Sequence, residues 1–301
     1  MRLLITGASG FIGKNLLLGL PKDVSIVGTY HTSEKEFLEF IEINKLKNVK
    51  PMRFATNDDV KRICDYCQFD VCIYLAGNSD PTLSEANPIY DIENNILPLL
   101  KLLGRLKTDG LIYFSSGAVY DRRTGPVNPD WRISPKLPYA VSKMAGEQYI
   151  KHFQYKNLNS AIIVRFFGAY GPYESDRKIY SRLAWQFGIE KNPKFIIRGD
   201  GKNLIDAMWI DDAVGIIREL IDMDTGLPSI KTIDLYAGQP MTINRLVERA
   251  GKIFHVEPEI TYEGKAAEHN QFYSNDIKFK FKPAISLEKG LVKLKEWLEV
   301  R

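Results

Sequence analysis

Apolar residues along this chain follow two rhythms. Before residue 168 the short runs RLLIT, VSIVGTY, NVKPMRF, DVCIYLA, GLIYFSS and SAIIVRF are apolar almost continuously. Between them lie FIGKNLLLGL, DVKRICDYC and NNILPLLKLLGRLK, whose apolar residues return every three or four positions. Continuous apolarity is what a strand buried on both faces requires, so this alternation predicts a parallel sheet sandwiched between helices. Past residue 168 the rhythm loosens. Short strands such as FIIRG and KTIDLYAG mix with helices expected near 178–189, 211–222, 242–254 and 286–298. The expected fold class is α/β, a doubly wound parallel sheet with a smaller α/β cap. Residues 1–167 and 205–237 would form the main domain, with 168–204 and 238–301 in the cap. Ligands of such open sheets bind beyond the carboxyl ends of the strands, which directs attention to the loops there.

Composition narrows the class without naming a function. The 301 residues are 45% hydrophobic and 26% charged, enough to bury a large core. The longest apolar runs are too short to span a bilayer, so no membrane association is expected. MRLLITGASG meets a glycine turn within a few residues, which suits a buried first strand and not a signal peptide, and a cytoplasmic location is expected. The net charge of +4 is spread out, apart from KFKFKPAISLEKGLVKLKEW; without a basic patch interleaved with aromatics, nucleic acid is not an expected partner. ICDYCQFDVC holds all three cysteines. A closed zinc site needs four ligands, and no second CxxC or paired histidine follows, so reduced thiols and no metal are expected.

Chemistry enters with TGASGFIG, residues 6–13, directly after the first strand and opening a helix. Gly7 allows a tight turn, Gly10 lets the backbone approach a pyrophosphate, and Gly13 lets the helix pack close. The first helical N–H groups, at Phe11, Ile12 and Gly13, face the phosphates with the positive end of the helix dipole. A second motif is PYAVSKMAGE, in which Tyr139 and Lys143 lie four apart on one helix face. An ammonium beside a phenol favours phenolate, so this pair suits proton transfer to or from a hydroxyl.

With the spacing G-x-x-G-x-x-G and YxxxK, the chain resembles the extended short-chain dehydrogenase/reductase superfamily, in its NAD-dependent epimerase/dehydratase branch acting on nucleotide sugars. The resemblance continues through FSSGAVYD, YLAG at 74–77, ENNILPLLKLL, RFFGAYGP at 165–172 and GDGKNLIDAMWIDDAV at 199–214. It implies a Rossmann domain and a triad of Ser116, Tyr139 and Lys143. Counting back from Val119 selects Ser116 over Ser115 as the hydroxyl that orients the reacting oxygen. Cofactor contacts are implied at Gly7, Gly10, Phe11, Ile12, Gly13, Tyr30, His31, Thr32, Leu75, Ala76, Gly77, Asn95, Tyr139, Lys143 and Phe166. Substrate contacts are implied at Ser79, Ser116, Gly168, Asn203 and Asp206, with Arg177 and Arg182 as further candidates outside the family pattern. It further implies a homodimer joined through a four-helix bundle of the 93–103 and 139–153 helices.

Four departures limit the transfer. GTYHTSEK carries no acid at the end of the second strand, so NAD or NADP is expected, with a 2′-phosphate not repelled beside His31, Thr32, Ser33 and Lys35. Gly117 and Ala118 stand where dehydratases carry an Asp-Glu pair, which counts against dehydration. Ile205 replaces an arginine that commonly grips the diphosphate, and Gly168 replaces an asparagine; Arg177, Lys178 and Arg182 are substitute cations, each equally well explained as a solvated helix residue. Asp58 is a weakly aligned adenine contact. The expected activity is hydride transfer at a hydroxyl or keto group, at C4, of a nucleotide-activated sugar, as a 4-epimerase or a 4-keto reductase. The alternative is a regulatory protein that keeps the fold and cofactor site without chemistry, like the regulatory subunit of methionine adenosyltransferase or the NmrA-like sensors.

Overall fold

The computed structural model describes residues 1–154, 158, 160–222, 229–264, 271–275 and 283–301. Strands β1 (Arg2–Thr6), β2 (Ser25–Tyr30), β3 (Val49–Arg53), β4 (Phe69–Tyr74), β5 (Thr108–Ser116), β6 (Ser160–Phe166) and β7 (Ser229–Leu235) form one sheet. Its order is β7-β6-β5-β4-β1-β2-β3, and the pairs β1–β2, β2–β3, β1–β4, β4–β5 and β5–β6 are all parallel. The chain moves outward from β1 through β2 to β3, then resumes at β4 on the other side of β1. That reversal is the switch point of a doubly wound sheet, and the loops after β1 and β4 diverge there.

Helices α1 (Phe11–Gly19), α2 (Glu34–Ile43), α3 (Asn57–Tyr66), α4 (Pro81–Ala86), α5 (Pro88–Asn95), α6 (Leu97–Leu103) and α7 (Pro138–Gln154) connect the strands. The stretch expected to be one helix across 94–107 is broken. Helix α5 ends at Asn95, and α6 restarts at Leu97 with Pro98 in its first turn, where a missing N–H costs nothing. Leu4, Val27, Cys72, Leu111 and Ile163 from the strands pack with Ile63 of α3, Leu99 and Leu102 of α6 and Ile150 of α7 in one apolar core. Cys64, Cys67 and Cys72 are free thiols, and burial pushes Cys64 up to about 11, away from any thiolate role at neutral pH.

Two compact units partition the chain. The first comprises Met1–Asp121, Arg132–Phe166 and Val214–Ile233; the second comprises Arg122–Trp131, Phe167–Ala213 and Asp234–Arg301. The second unit claims residues that the sequence pattern assigned to the main domain, because short strands tie them there. Thr124–Val127 pairs with Gln271–Ser274, and Met208–Trp209 pairs with Ala169–Tyr170. Its helices are α8 (Ile179–Leu183), which runs on into a π-helical stretch over Ala184–Ile189, the first turn of α9 (Ile210–Asp222), α10 (Ile243–Phe254) and α11 (Leu287–Glu299). Tyr170 stacks on Tyr180 at 4.3 Å, and Phe187 meets Phe195 at 5.5 Å in its interior. Residues 278–282 of the lysine-rich segment lie outside the described residues. Among the described residues no helix is long and apolar enough to cross a membrane.

Candidate functional site

The glycine loop is built as its spacing requires. Gly7 has φ +68°, and a Cβ there would stand 2.9 Å from the backbone nitrogen of Ala76. A Cβ on Gly13 would meet Ala8 Cα and the Gly7 carbonyl at 2.5 Å, so α1 starts close against the turn. Gly10 is less crowded, its nearest neighbour the Gly7 carbonyl at 3.2 Å. Gly10 caps α1 with no side-chain hydrogen bond, and no acid occupies the first turn, so the helix presents its N–H groups at Phe11 and Ile12 to whatever binds. Thr6 Oγ1 accepts from the Leu75 and Ala76 N–H groups (3.1 and 3.2 Å), drawing the loop after β4 against the loop after β1. These features fit a dinucleotide pyrophosphate.

Beyond β2, His31 and Thr32 are exposed, while the buried Tyr30 donates its hydroxyl to Glu34 at 2.7 Å. A carboxylate therefore stands at the end of this strand after all, delivered by the first turn of α2. The strand-end position alone could not reveal it. Asp58 is exposed on α3, and its neighbour Asp59 is the buried residue, closing a capping box with Thr56.

Ser115 and Ser116 end β5 and part company. Ser115 Oγ donates to Glu147 at 2.6 Å, inside a buried network in which Arg165 binds both oxygens of Glu147 (3.0 and 2.8 Å) and donates to the Tyr120 hydroxyl at 2.9 Å. Ser116 instead caps the 3₁₀ turn Gly117–Tyr120, accepting from Ala118 N–H at 3.1 Å, and its hydroxyl acts on the ionisation of Tyr139. Tyr139 and Lys143 project from one face of α7, and the Lys143 ammonium lies 5.9 Å from the Tyr139 ring centre. Lys143 Nζ donates to the Phe114 carbonyl at 3.1 Å. All three members thus converge at the carboxyl end of β5.

Burial dominates the ionisation of this group. It raises the Tyr139 phenol, the Ser116 hydroxyl opposes the rise, and the charge of Asp91 adds to it. Burial also pushes Lys143 down to about 8, with Asp91 pulling back up. Desolvation therefore favours the neutral phenol at Tyr139 over phenolate.

Asn95 is buried under this site. Its amide donates to Asp91 Oδ1 (2.8 Å) and Ser142 Oγ (2.9 Å), and its own oxygen has no partner. Gly77, with φ +139°, passes over it so closely that a Cβ would overlap that oxygen. Leu75 and Ala76 are half-buried, Ser79 is exposed in the following loop, and Phe166 ends β6 edge-on to Phe114 at 5.7 Å.

A model of the NAD dependent epimerase/dehydratase family matches residues 3–231. The chain belongs to this family. A UDP-glucuronate 4-epimerase of Thermodesulfobacterium geofontis is 28% identical over 325 aligned residues, spanning 98% of this chain and 95% of the relative. UDP-glucuronic acid 4-epimerase from Bacillus cereus, solved in complex with UDP-glucuronic acid and NAD, superposes with a TM-score of 0.85 at 24% identity, over 100% of this chain and 99% of that one. UDP-glucose 4-epimerase from Thermotoga maritima, solved with UDP-glucose, gives 0.86 at 22% identity over the same shares. The structural likenesses are likenesses of fold.

Within the second unit of this epimerase/dehydratase family member, the expected substrate residues hold varied positions. Asp206 spends both carboxylate oxygens on the Gly238 and Gln239 N–H groups (3.0 Å each), so it clamps backbone. Asn203 accepts from Ile243 N–H through its carbonyl. Arg182 stacks over Phe195 at 4.4 Å and donates to the Ile196 carbonyl at 2.9 Å, whereas Arg177 is exposed in a turn. Gly168 has φ +135° beside Ala207. Ile205, at the family's arginine position, lines a pocket with Tyr170, Met208, Trp209, Gln239 and Met241. Trp131 is exposed and packs with Arg123, and His152 is exposed near the end of α7.

Proposed function

We propose that this protein is an NAD-dependent nucleotide-sugar epimerase that inverts C4. The observation that carries the reading is the convergence of Ser116, Tyr139 and Lys143 at the end of β5, in a unit whose loop after β1 fits a pyrophosphate. Gly7, Gly10 and Gly13 with the start of α1 would hold the pyrophosphate, and Leu75, Ala76 and Gly77 would flank the nicotinamide end. NAD, when bound, takes up a hydride from carbon and returns it. Tyr139 would accept the proton of the sugar hydroxyl and give it back, and Ser116 would hold that oxygen and stabilise its developing charge. Lys143 would hold the nicotinamide ribose and, as an ammonium, counter the phenolate. Glu34 beside Tyr30 supports NAD over NADP, because a carboxylate there repels a 2′-phosphate.

Gly117 and Ala118 carry no group able to expel water, which supports epimerisation over dehydration. In the second unit, Gly168, Arg177, Arg182 and Asn203 would contact the nucleotide sugar, with Asp206 acting only through the backbone it clamps; in the first, Ser79 would. Exposed Ile89 and Ile92 on α5 and Val141 and Tyr149 on α7 would bury against a second copy, in keeping with the four-helix bundle expected from sequence. A 4-keto sugar reductase is the second reading, favoured by the exposed His31 and Thr32. The cofactor that co-purifies separates the two: bound NAD(H), identified by absorbance and mass, is expected. An empty site that takes up NADPH would favour the reductase, and binding of neither nucleotide would sink both.

A further inference from the structure

Asp91, on α5, is 1% exposed, and the chemistry above does not use it. Its Oδ1 accepts from Ser84 Oγ (2.6 Å), Asn95 Nδ2 (2.8 Å) and Asn78 Nδ2 (3.2 Å); its Oδ2 is buried with no partner. All three donors are neutral, so they solvate the carboxylate without cancelling its charge. From Asn95 the chain of bonds continues to Ser142 Oγ, which donates to the Tyr139 carbonyl at 2.9 Å. A buried carboxylate is thus wired to the backbone of Tyr139 and left electrically uncompensated.

Neighbouring acids are engaged elsewhere. Glu147 on α7 is neutralised by Arg165, and Asp80 caps α4 by accepting from Thr82 and Leu83 N–H groups. Tyr113 on β5 is pushed well up by burial and stays a neutral phenol. Helix α5, which carries Asp91, packs against α7, which carries Tyr139 and Lys143. We propose that Asp91 is the buried counter-charge of the Ser116–Tyr139–Lys143 group, a positioning residue that holds Lys143 protonated and sets the pH range in which Tyr139 and Lys143 act together. This rests on the reading of that group as catalytic. Consistent with it, the Asp91 charge raises Lys143 against desolvation and raises Tyr139 too.

Asp91→Asn keeps the shape and an accepting oxygen while removing the charge. With ¹³Cε-lysine in the whole protein, and Lys143→Arg to assign the signal, NMR follows the titration of Lys143 without any substrate. Lys143 is expected to titrate lower by about one pH unit in the variant, the size a close buried charge produces. Losing a negative neighbour eases both deprotonations, so both limbs of the rate–pH profile are expected to move down together. A merely structural role would lower the rate without moving the limbs. An unchanged Lys143 titration in folded Asp91→Asn overturns the proposal. Should that variant not fold, ¹³Cγ-aspartate NMR of the native protein decides: an ionised Asp91 at neutral pH supports the counter-charge, and a protonated one overturns it. If Tyr139→Phe keeps full activity while Lys143 still shifts, the catalytic reading fails and the electrostatic coupling stands.

Discussion

Lys143 shows what burial does to a residue whose role depends on its charge. Its ordinary value is 10.5, and burial brings it to about 8 in the folded protein. Between those values the unfolded chain holds a proton that the folded one has lost, so this residue makes stability rise with pH across that window. The penalty of a buried ammonium applies in full below about 8 and is relieved by 10.5. Lys143→Met is expected to flatten this part of the stability–pH curve, read from urea midpoints between those limits; an unchanged slope would mean the ammonium is not buried. The choice of Ser116 over Ser115 could be reached from spacing to Val119. What Ser115 does could not, because Glu147 and Arg165 reach it from 32 and 50 residues away, on elements that only the fold brings together. Glu34 was hidden for a related reason: it lies four residues past the strand end, and a helical turn brings it back to Tyr30.

At the level of elements, α7 carries Tyr139 and Lys143 and must keep its register against β5 and β6. The Glu147–Arg165 pair sets that register from within, 0% and 3% exposed. A buried pair adds little over apolar packing, but removing one partner strands the other charge. Arg165→Met is expected to cost about 3–5 kcal/mol, measured by urea unfolding, and Arg165→Met/Glu147→Leu to recover much of the loss. Equal losses in the single and double variants would contradict this. Gly146 holds the same helix close to β5, for a Cβ there would overlap the Tyr113 hydroxyl. Gly146→Val is expected to lower Tm; a neutral result would show that α7 has room to lift. Long apolar strands were legible because burial on two faces leaves a continuous pattern. The two-residue strands at Ala169–Tyr170, Leu204–Ile205, Met208–Trp209 and Met241–Thr242 were not, since tertiary partners alone hold them extended.

For the molecule as a whole, the TGASGFIG loop, the alternation of apolar strands with helices and the YxxxK helix were enough to anticipate a doubly wound dinucleotide-binding sheet, and the observed topology and membership of the epimerase/dehydratase family agree with it. The second unit was harder to read, because its strands are short and Thr124–Val127 joins it from far upstream. C4 epimerisation leaves a distinct product, which NMR of the sugar detects. Purified protein, incubated with UDP-glucose and UDP-glucuronic acid in separate reactions, would be followed by ¹H NMR of the sugar ring protons. The C4 epimer is expected to appear and reach equilibrium with no added nucleotide consumed, and Tyr139→Phe is expected to slow its formation by about 10²-fold or more. No epimer from either sugar, a dehydrated 4-keto product, or equal turnover by Tyr139→Phe would contradict the account.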